Sequence, residues 1–109
     1  MRIAIDTDTY PGRSVVTVTG EIDMLGAPRL RQILLGCLSE SGADVVADLD
    51  GITFLASTGL GVLVEAGQHA TARGSELRLV CASRAVLRPL ELTGLNQVFE
   101  IHPDLTTLT

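Results

Sequence analysis

The sequence predicts an α/β fold: a mostly parallel central sheet, opened by an N-terminal antiparallel hairpin, with helices packed against it. Three observations lead there. Two β-branched or alternating segments stand close together within residues 2–19, separated only by a turn. From there to the C-terminus, helical-period segments alternate with short apolar runs, and repeated strand–helix–strand units imply crossover connections between parallel neighbours. The composition supplies an aliphatic core, because 46% of residues are hydrophobic while only 3% are aromatic and Trp is absent.

A length of 109 residues reads as a single domain spanning 1–109. Such a domain buries roughly two-thirds of its unfolded-chain surface, enough for a core without staples. The net charge of −5, with no Lys/Arg cluster, makes the chain a poor ligand for phosphate backbones, so no direct nucleic-acid binding is expected. Cys37 and Cys81 each fall inside an apolar pattern and read as buried reduced thiols rather than a disulfide. With no basic-then-apolar leader and no long apolar span, the expectation is a soluble cytoplasmic protein with no membrane insertion.

Each element has its own signal. Residues 2–9 alternate, with Ile3 and Ile5 apolar against Arg2, Asp6 and Asp8. Pro11-Gly12 makes a turn, and Ser14 to Thr19 is β-branched almost throughout, which suits a pleated strand. Gly20-Glu21-Ile22-Asp23 then leaves the sheet. Pro28 suits the first turn of a helix whose stripe is Leu30, Ile33, Leu34, Cys37 and Leu38, with Arg29, Arg31, Gln32 and Glu40 off it. Ser41-Gly42 closes that helix. Ala43 to Leu49 is nearly continuous apolar sequence, as in a central strand covered on its faces, and Asp50-Gly51 reads as a turn.

The second helix is expected from Thr58 to Arg73, with Leu60, Leu63, Val64, Gly67 and Ala70 along one side and Gly74 as its stop. Glu76 to Cys81 is a short strand. Ser83 caps a third helix running through Val86, Leu87, Leu90 and Leu92 to Gly94, within which Pro89 should produce a kink or a late start. Val98 to Ile101 is a last strand. Pro103 to Thr109 has room for about one helical turn, with Leu105 and Leu108 facing inward.

Ligands and partners of parallel sheets gather at the carboxyl ends of the strands, where the 50–58 and 20–23 segments fall. Catalytic chemistry finds little support: His69 and His102 are isolated, and the cysteines and histidines lack metal-ligand spacing. Gly59-Leu60-Gly61 starts like a dinucleotide loop but its third glycine is misplaced, and no Lys follows to make a phosphate-cradling loop. An enzyme is not expected, and no cofactor or metal is implied. What stands out is Ser57-Thr58 at a helix start, followed by Gly59 and Gly61. One hydroxyl capping the helix, a contribution of about 1 kcal/mol, accounts for the pair as well as a partner site does.

Gly20-Glu21-Ile22-Asp23, the Asp-Leu strand end, Phe54-Leu55-Ala56-Ser57-Thr58-Gly59-Leu60-Gly61 and Leu90-Glu91-Leu92-Thr93-Gly94-Leu95 together resemble STAS domains. More narrowly, the chain resembles the free-standing bacterial anti-sigma factor antagonists, over essentially its whole length. The resemblance implies partner switching. The unmodified antagonist binds a GHKL-type anti-sigma factor, which frees a sigma factor; that anti-sigma factor is a serine kinase, and phosphorylation of one antagonist serine ends the complex. A metal-dependent serine/threonine phosphatase restores the unmodified form. The family's acceptor serine corresponds to Ser57, ahead of Thr58, and the resemblance implies a partner surface of Asp23, Ser57, Thr58, Gly59, Gly61 and Val62. For Asp23, service to the next helix is an equal reading. Ala56 stands where the family pattern carries an aspartate, a departure that favours an alternative: a non-phosphorylated STAS scaffold or accessory subunit of a signalling or transport assembly.

Overall fold

The structure, a computed structural model, describes residues 3–39 and 44–108, the last two in backbone only. Strands β1 (Ile3–Tyr10) and β2 (Arg13–Ile22) form the antiparallel hairpin. Helix α1 (Ala27–Ser39) leads to β3 (Asp44–Leu55), α2 (Ser57–Ala72) to β4 (Leu77–Val80), and α3 (Arg84–Thr93) to β5 (Glu100–His102). The sheet order is β1-β2-β3-β4-β5, with β2 through β5 parallel.

Right-handed crossovers that each step one strand in the same direction place their helices on a common face. The buried clusters agree. Leu30, Leu34 and Leu38 of α1, Leu60, Leu63, Ala66 and Ala70 of α2, and Val86 and Leu90 of α3 all join one cluster with Val45, Ala47 and Leu49 of β3. The other face of β3 contributes Val46 to a small cluster with Val15 and Val80, to which no helix contributes. The apolar run of β3 thus reflects one helix-covered face and a three-valine stripe on the other, not helices on both.

Several expected boundaries move. Gly20 to Ile22 stay in the sheet, pairing with Ile52, Phe54 and Leu55, so β2 is longer than its β-branched run suggested. Asp50-Gly51 is not a turn. β3 continues through it to Leu55, and between the pairs Thr17–Asp48 and Thr19–Gly51 it carries one more residue than β2, a bulge that absorbs the Asp-Gly pair. The Asp50 carboxylate accepts hydrogen bonds from the N–H groups of Ala82 (2.8 Å) and Ser83 (3.1 Å), holding the turn into α3. Ser83 is the N-cap residue of α3, as expected, but its hydroxyl makes no capping bond. Pro89 lies inside α3 without delaying its start, and Gly94 ends the helix at φ +76°.

Gly74 follows α2 at φ +73°, where Ser75 N–H reaches Ala70 O and Gly74 N–H reaches Thr71 O, the paired bonds of a Schellman end. Leu105, expected to face inward, is 42% exposed, and Leu92 of α3 is 72% exposed. Val98 precedes β5 rather than joining it, after a 3-10 turn at Leu95–Gln97. The expected C-terminal turn is a 3-10 turn at Leu105–Leu108. Ser41-Gly42, Glu40, Ala43 and the side chain of Leu108 lie outside the described residues.

No disulfide joins the cysteines. Cys81 is buried, and burial first, then the negative charges of Asp50 and Asp48, pushes its thiol up to about 11. Cys37 is only half-buried, less than its pattern suggested. No described helix is long and apolar enough to cross a membrane.

Candidate functional site

Parallel pairing brings the carboxyl ends of β2 and β3 to the same place. Their last pair is Ile22–Leu55, and the next bond is from Ala56 N–H to the Ile22 carbonyl at 2.9 Å. The chain then diverges into two helices, so Asp23 and Ser57 leave the sheet side by side.

Asp23 serves the turn that follows it. Its Oδ1 accepts from the N–H groups of Leu25 (3.0 Å) and Gly26 (2.9 Å), and its carbonyl accepts from Ala27 N–H at 3.0 Å. Aspartate suits this task because its short carboxylate reaches its own backbone two residues on. The consequence is that Met24 and Leu25 are held outward, each 72% exposed. On the neighbouring strand, Phe54 pairs with Glu21 and is 51% exposed. Three large apolar side chains therefore surround the strand ends. The sequence reading passed over them, although Met24-Leu25 after a turn-forming aspartate was the available signal.

Helix α2 starts without a side-chain cap. Its N-cap residue is Ala56, in extended geometry (φ −78°, ψ 166°), whose carbonyl accepts from Gly59 and Leu60 N–H. Ser57 is the first helical residue, one earlier than expected, and Thr58 the second. Neither hydroxyl caps the helix, which removes the capping explanation for the pair. Both residues are exposed, and neither hydroxyl has a hydrogen-bond partner among the described residues. The N–H groups of Ser57 and Thr58 have no intrahelical acceptor, so the 16-residue helix presents its positive end around Ser57. No acidic residue occupies that first turn.

The glycines divide. A Cβ on Gly59 would lie 2.6 Å from Leu55 Cδ1 and 2.8 Å from Ile22 Cγ2, so Gly59 is buried where α2 seats on both strand ends. A Cβ on Gly61 would meet nothing, and Gly61 is exposed. Val62 is 8% exposed and belongs to the core. Of the six residues singled out in sequence, Ser57, Thr58 and Gly61 lie on the surface, Asp23 is half-buried, and Gly59 and Val62 form the floor.

His69 Nε2 lies 3.3 Å from Ser39 Oγ between α1 and α2, but that hydroxyl donates to Leu35 O and the nearby Glu65 is engaged by Arg31. Among the described residues, no three His, Cys, Asp or Glu side chains gather as a metal site would require.

The comparisons with known proteins bear on this site. The STAS domain model matches residues 4–108. A relative named anti-sigma-B factor antagonist, from Bacillus subtilis, is 35% identical over 101 residues, covering 93% of this chain and 92% of its own. The crystal structure of an anti-sigma factor antagonist from Mycobacterium paratuberculosis superposes with a TM-score of 0.89 at 34% identity, over 97% of this chain and 90% of that one. The Bacillus cell fate determinant SpoIIAA in its phosphorylated form shares the fold, with a TM-score of 0.75 at 14% identity over 96% of each chain. The chain therefore belongs to the STAS domain family, among its anti-sigma factor antagonists.

Proposed function

We propose that the unphosphorylated chain binds a GHKL-type anti-sigma factor kinase in the bacterial cytoplasm through the surface around Ser57, freeing a sigma factor. Phosphorylation of Ser57 ends the complex, and a metal-dependent serine/threonine phosphatase restores it. The observation that carries this reading is an exposed serine hydroxyl with no structural task, at an uncapped helix start, with Met24, Leu25 and Phe54 exposed at the neighbouring strand ends.

The chemistry follows from the position. Ser57 Oγ attacks the γ-phosphorus of the kinase's ATP, the bond to the ADP leaving group breaks, and the hydroxyl proton passes to the kinase. The product carries about −1.5 to −2 charges. At a helix N-terminus that charge is favourable by about 0.3–1 kcal/mol, so the domain stays folded. The partner face bears the cost. An apolar interface must desolvate a dianion at its centre, and a burial of that kind without a paired cation is strongly unfavourable. Met24, Leu25 and Phe54 supply the apolar contact that the phosphate disrupts. The phosphorylated SpoIIAA structure supports the reading to the extent that a domain of this fold accommodates a phosphoryl group.

One observation favours a second reading, a scaffold or accessory subunit without a phosphate cycle. Ala56 occupies the N-cap and offers no side chain to orient the neighbouring hydroxyl. A pull-down from native lysate, with mass spectrometry of the partner and of residues 50–62, separates the two. Capture of an anti-sigma kinase with phosphate on Ser57 supports the switch; capture of a multiprotein or transport assembly with no phosphate defeats it.

A further inference from the structure

The sheet ends on one side at β1, eight residues long, and on the other at β5, only three. The inner side of β1 pairs with β2 along its whole length, whereas its outer side makes no backbone hydrogen bond to any described residue. From Asp6 to Tyr10 every residue is exposed, so no described element covers this edge. A long open edge is a row of backbone donors and acceptors ready to pair with an added strand.

The register assigns the side chains of that edge. Asp6 stands opposite Thr17 and Asp8 opposite Val15, whose cluster with Val46 and Val80 marks the helix-free face of the sheet. Thr7 and Thr9 alternate onto the helix side, opposite Val16 and Ser14. Neither Asp6 nor Asp8 has a hydrogen bond or ion pair among the described residues. Arg78, on the same face, is already held by Asp44, Glu76 and Glu100, and Arg13, opposite Tyr10, forms no ion pair with either aspartate.

Two unpaired carboxylates on one face of an open edge decide what can join it. A second copy added antiparallel about Thr7 would set Asp6 against Asp8 twice, and a register about Asp6 or Asp8 would set that residue against itself. Like charges directly opposite destabilise a strand pair, so self-addition in these registers is opposed. A strand with Lys or Arg at two alternate positions reverses the sign of both contacts. We propose that β1 accepts an extended cationic segment of a partner protein as a further strand, its Lys or Arg side chains over Asp6 and Asp8 and its intervening β-branched residues over Thr7 and Thr9. Backbone hydrogen bonds supply the affinity and the two carboxylates the choice of partner. The surface is independent of Ser57 and stands whether or not the chain is phosphorylated.

The test is a fluorescence anisotropy titration of the purified chain, at low ionic strength, with labelled peptides of one alternating design. One carries Lys between Val and Thr, the second Glu in place of Lys, and the third keeps Lys but has Pro in place of Val. The Lys peptide should bind saturably, with a Kd at least about tenfold lower than that of the Glu peptide. The Pro peptide has the same charge but cannot donate along the edge, and should lose at least about tenfold. Asp6→Lys with Asp8→Lys, at exposed positions that folding tolerates, should reverse the preference in favour of the Glu peptide, and Asp6→Asn with Asp8→Asn should abolish it. No saturable binding, equal binding of the Lys and Glu peptides, binding undiminished by Pro, or an unchanged preference in the doubly reversed variant overturns the proposal.

Discussion

The N–H of Ala56 donates to the carbonyl of Ile22 at 2.9 Å, and this one bond ties the start of α2 to the end of β2. It extends the β2–β3 ladder by one step beyond the Ile22–Leu55 pair. Ser57 therefore begins a helix whose origin is fixed to two neighbouring strands. A hydroxyl placed this way needs no cap of its own to hold position.

Ala56 leaves the N-cap unfilled, and an aspartate there would accept first-turn N–H bonds. Ala56→Asp is expected to stabilise the unmodified chain by about 0.5–2 kcal/mol in a urea titration. With phosphate on Ser57 the gain should shrink, because the new carboxylate then faces a dianion one residue away. An equal gain in both forms would contradict the account of the helix start.

Gly59 and Gly61 are expected to respond in opposite directions. Gly59→Ala drives a methyl into Leu55 and the β-branched Ile22, and should destabilise the chain by about 1–3 kcal/mol. Gly61→Ala meets open space on an exposed helix position and should stabilise by up to about 1 kcal/mol. Thermal unfolding of both variants checks the seat of α2.

Met24, Leu25 and Phe54 contribute little to folding because half or more of each is exposed. Replacing any of them by Ser is expected to change stability by no more than about 0.5 kcal/mol. Binding to the anti-sigma partner should fall, by about 1 kcal/mol or more for at least one of them, by calorimetry. If all three bind as well as the parent, the docking face lies elsewhere.

Acid sensitivity has a local origin. The His102 hydrogen bond first, and then Arg78, hold the Glu100 carboxyl below its ordinary 4.5, and the hydrogen bond from Arg31 does the same for Glu65. A carboxyl depressed in the folded state binds fewer protons there than in the unfolded chain. Its stabilising effect is present above the ordinary value and is lost as pH falls through it toward the folded one. Stability should decline below about pH 4.5, and Glu100→Gln or Glu65→Gln should make that decline shallower. Both groups are exposed, so added salt should reduce the difference.

The strand–helix order, the hairpin and the glycine helix ends were legible because each follows from a local period or a single residue's backbone freedom. Asp50-Gly51 was not. An Asp-Gly pair reads as a turn until β2 is known to continue opposite it, and the N–H groups of Ala82 and Ser83 that occupy Asp50 lie more than thirty residues away. Leu92, two residues past Leu90, lies on the side of α3 opposite Val86 and Leu90 and is exposed accordingly. At the site, Ser57 and Thr58 were visible as chemistry. That Gly59 and Val62 face inward, and that Met24, Leu25 and Phe54 face outward, depends on how β2 and β3 end together.

The most direct measurement is the affinity of the chain for its anti-sigma kinase before and after incubation with magnesium ATP, for the parent and for Ser57→Ala, with the phosphate mapped. The account predicts phosphate on Ser57 and a loss of at least about tenfold in the parent's affinity, with Ser57→Ala unchanged by ATP. Phosphate found only on Thr58, or an equal loss of affinity in Ser57→Ala, would contradict it.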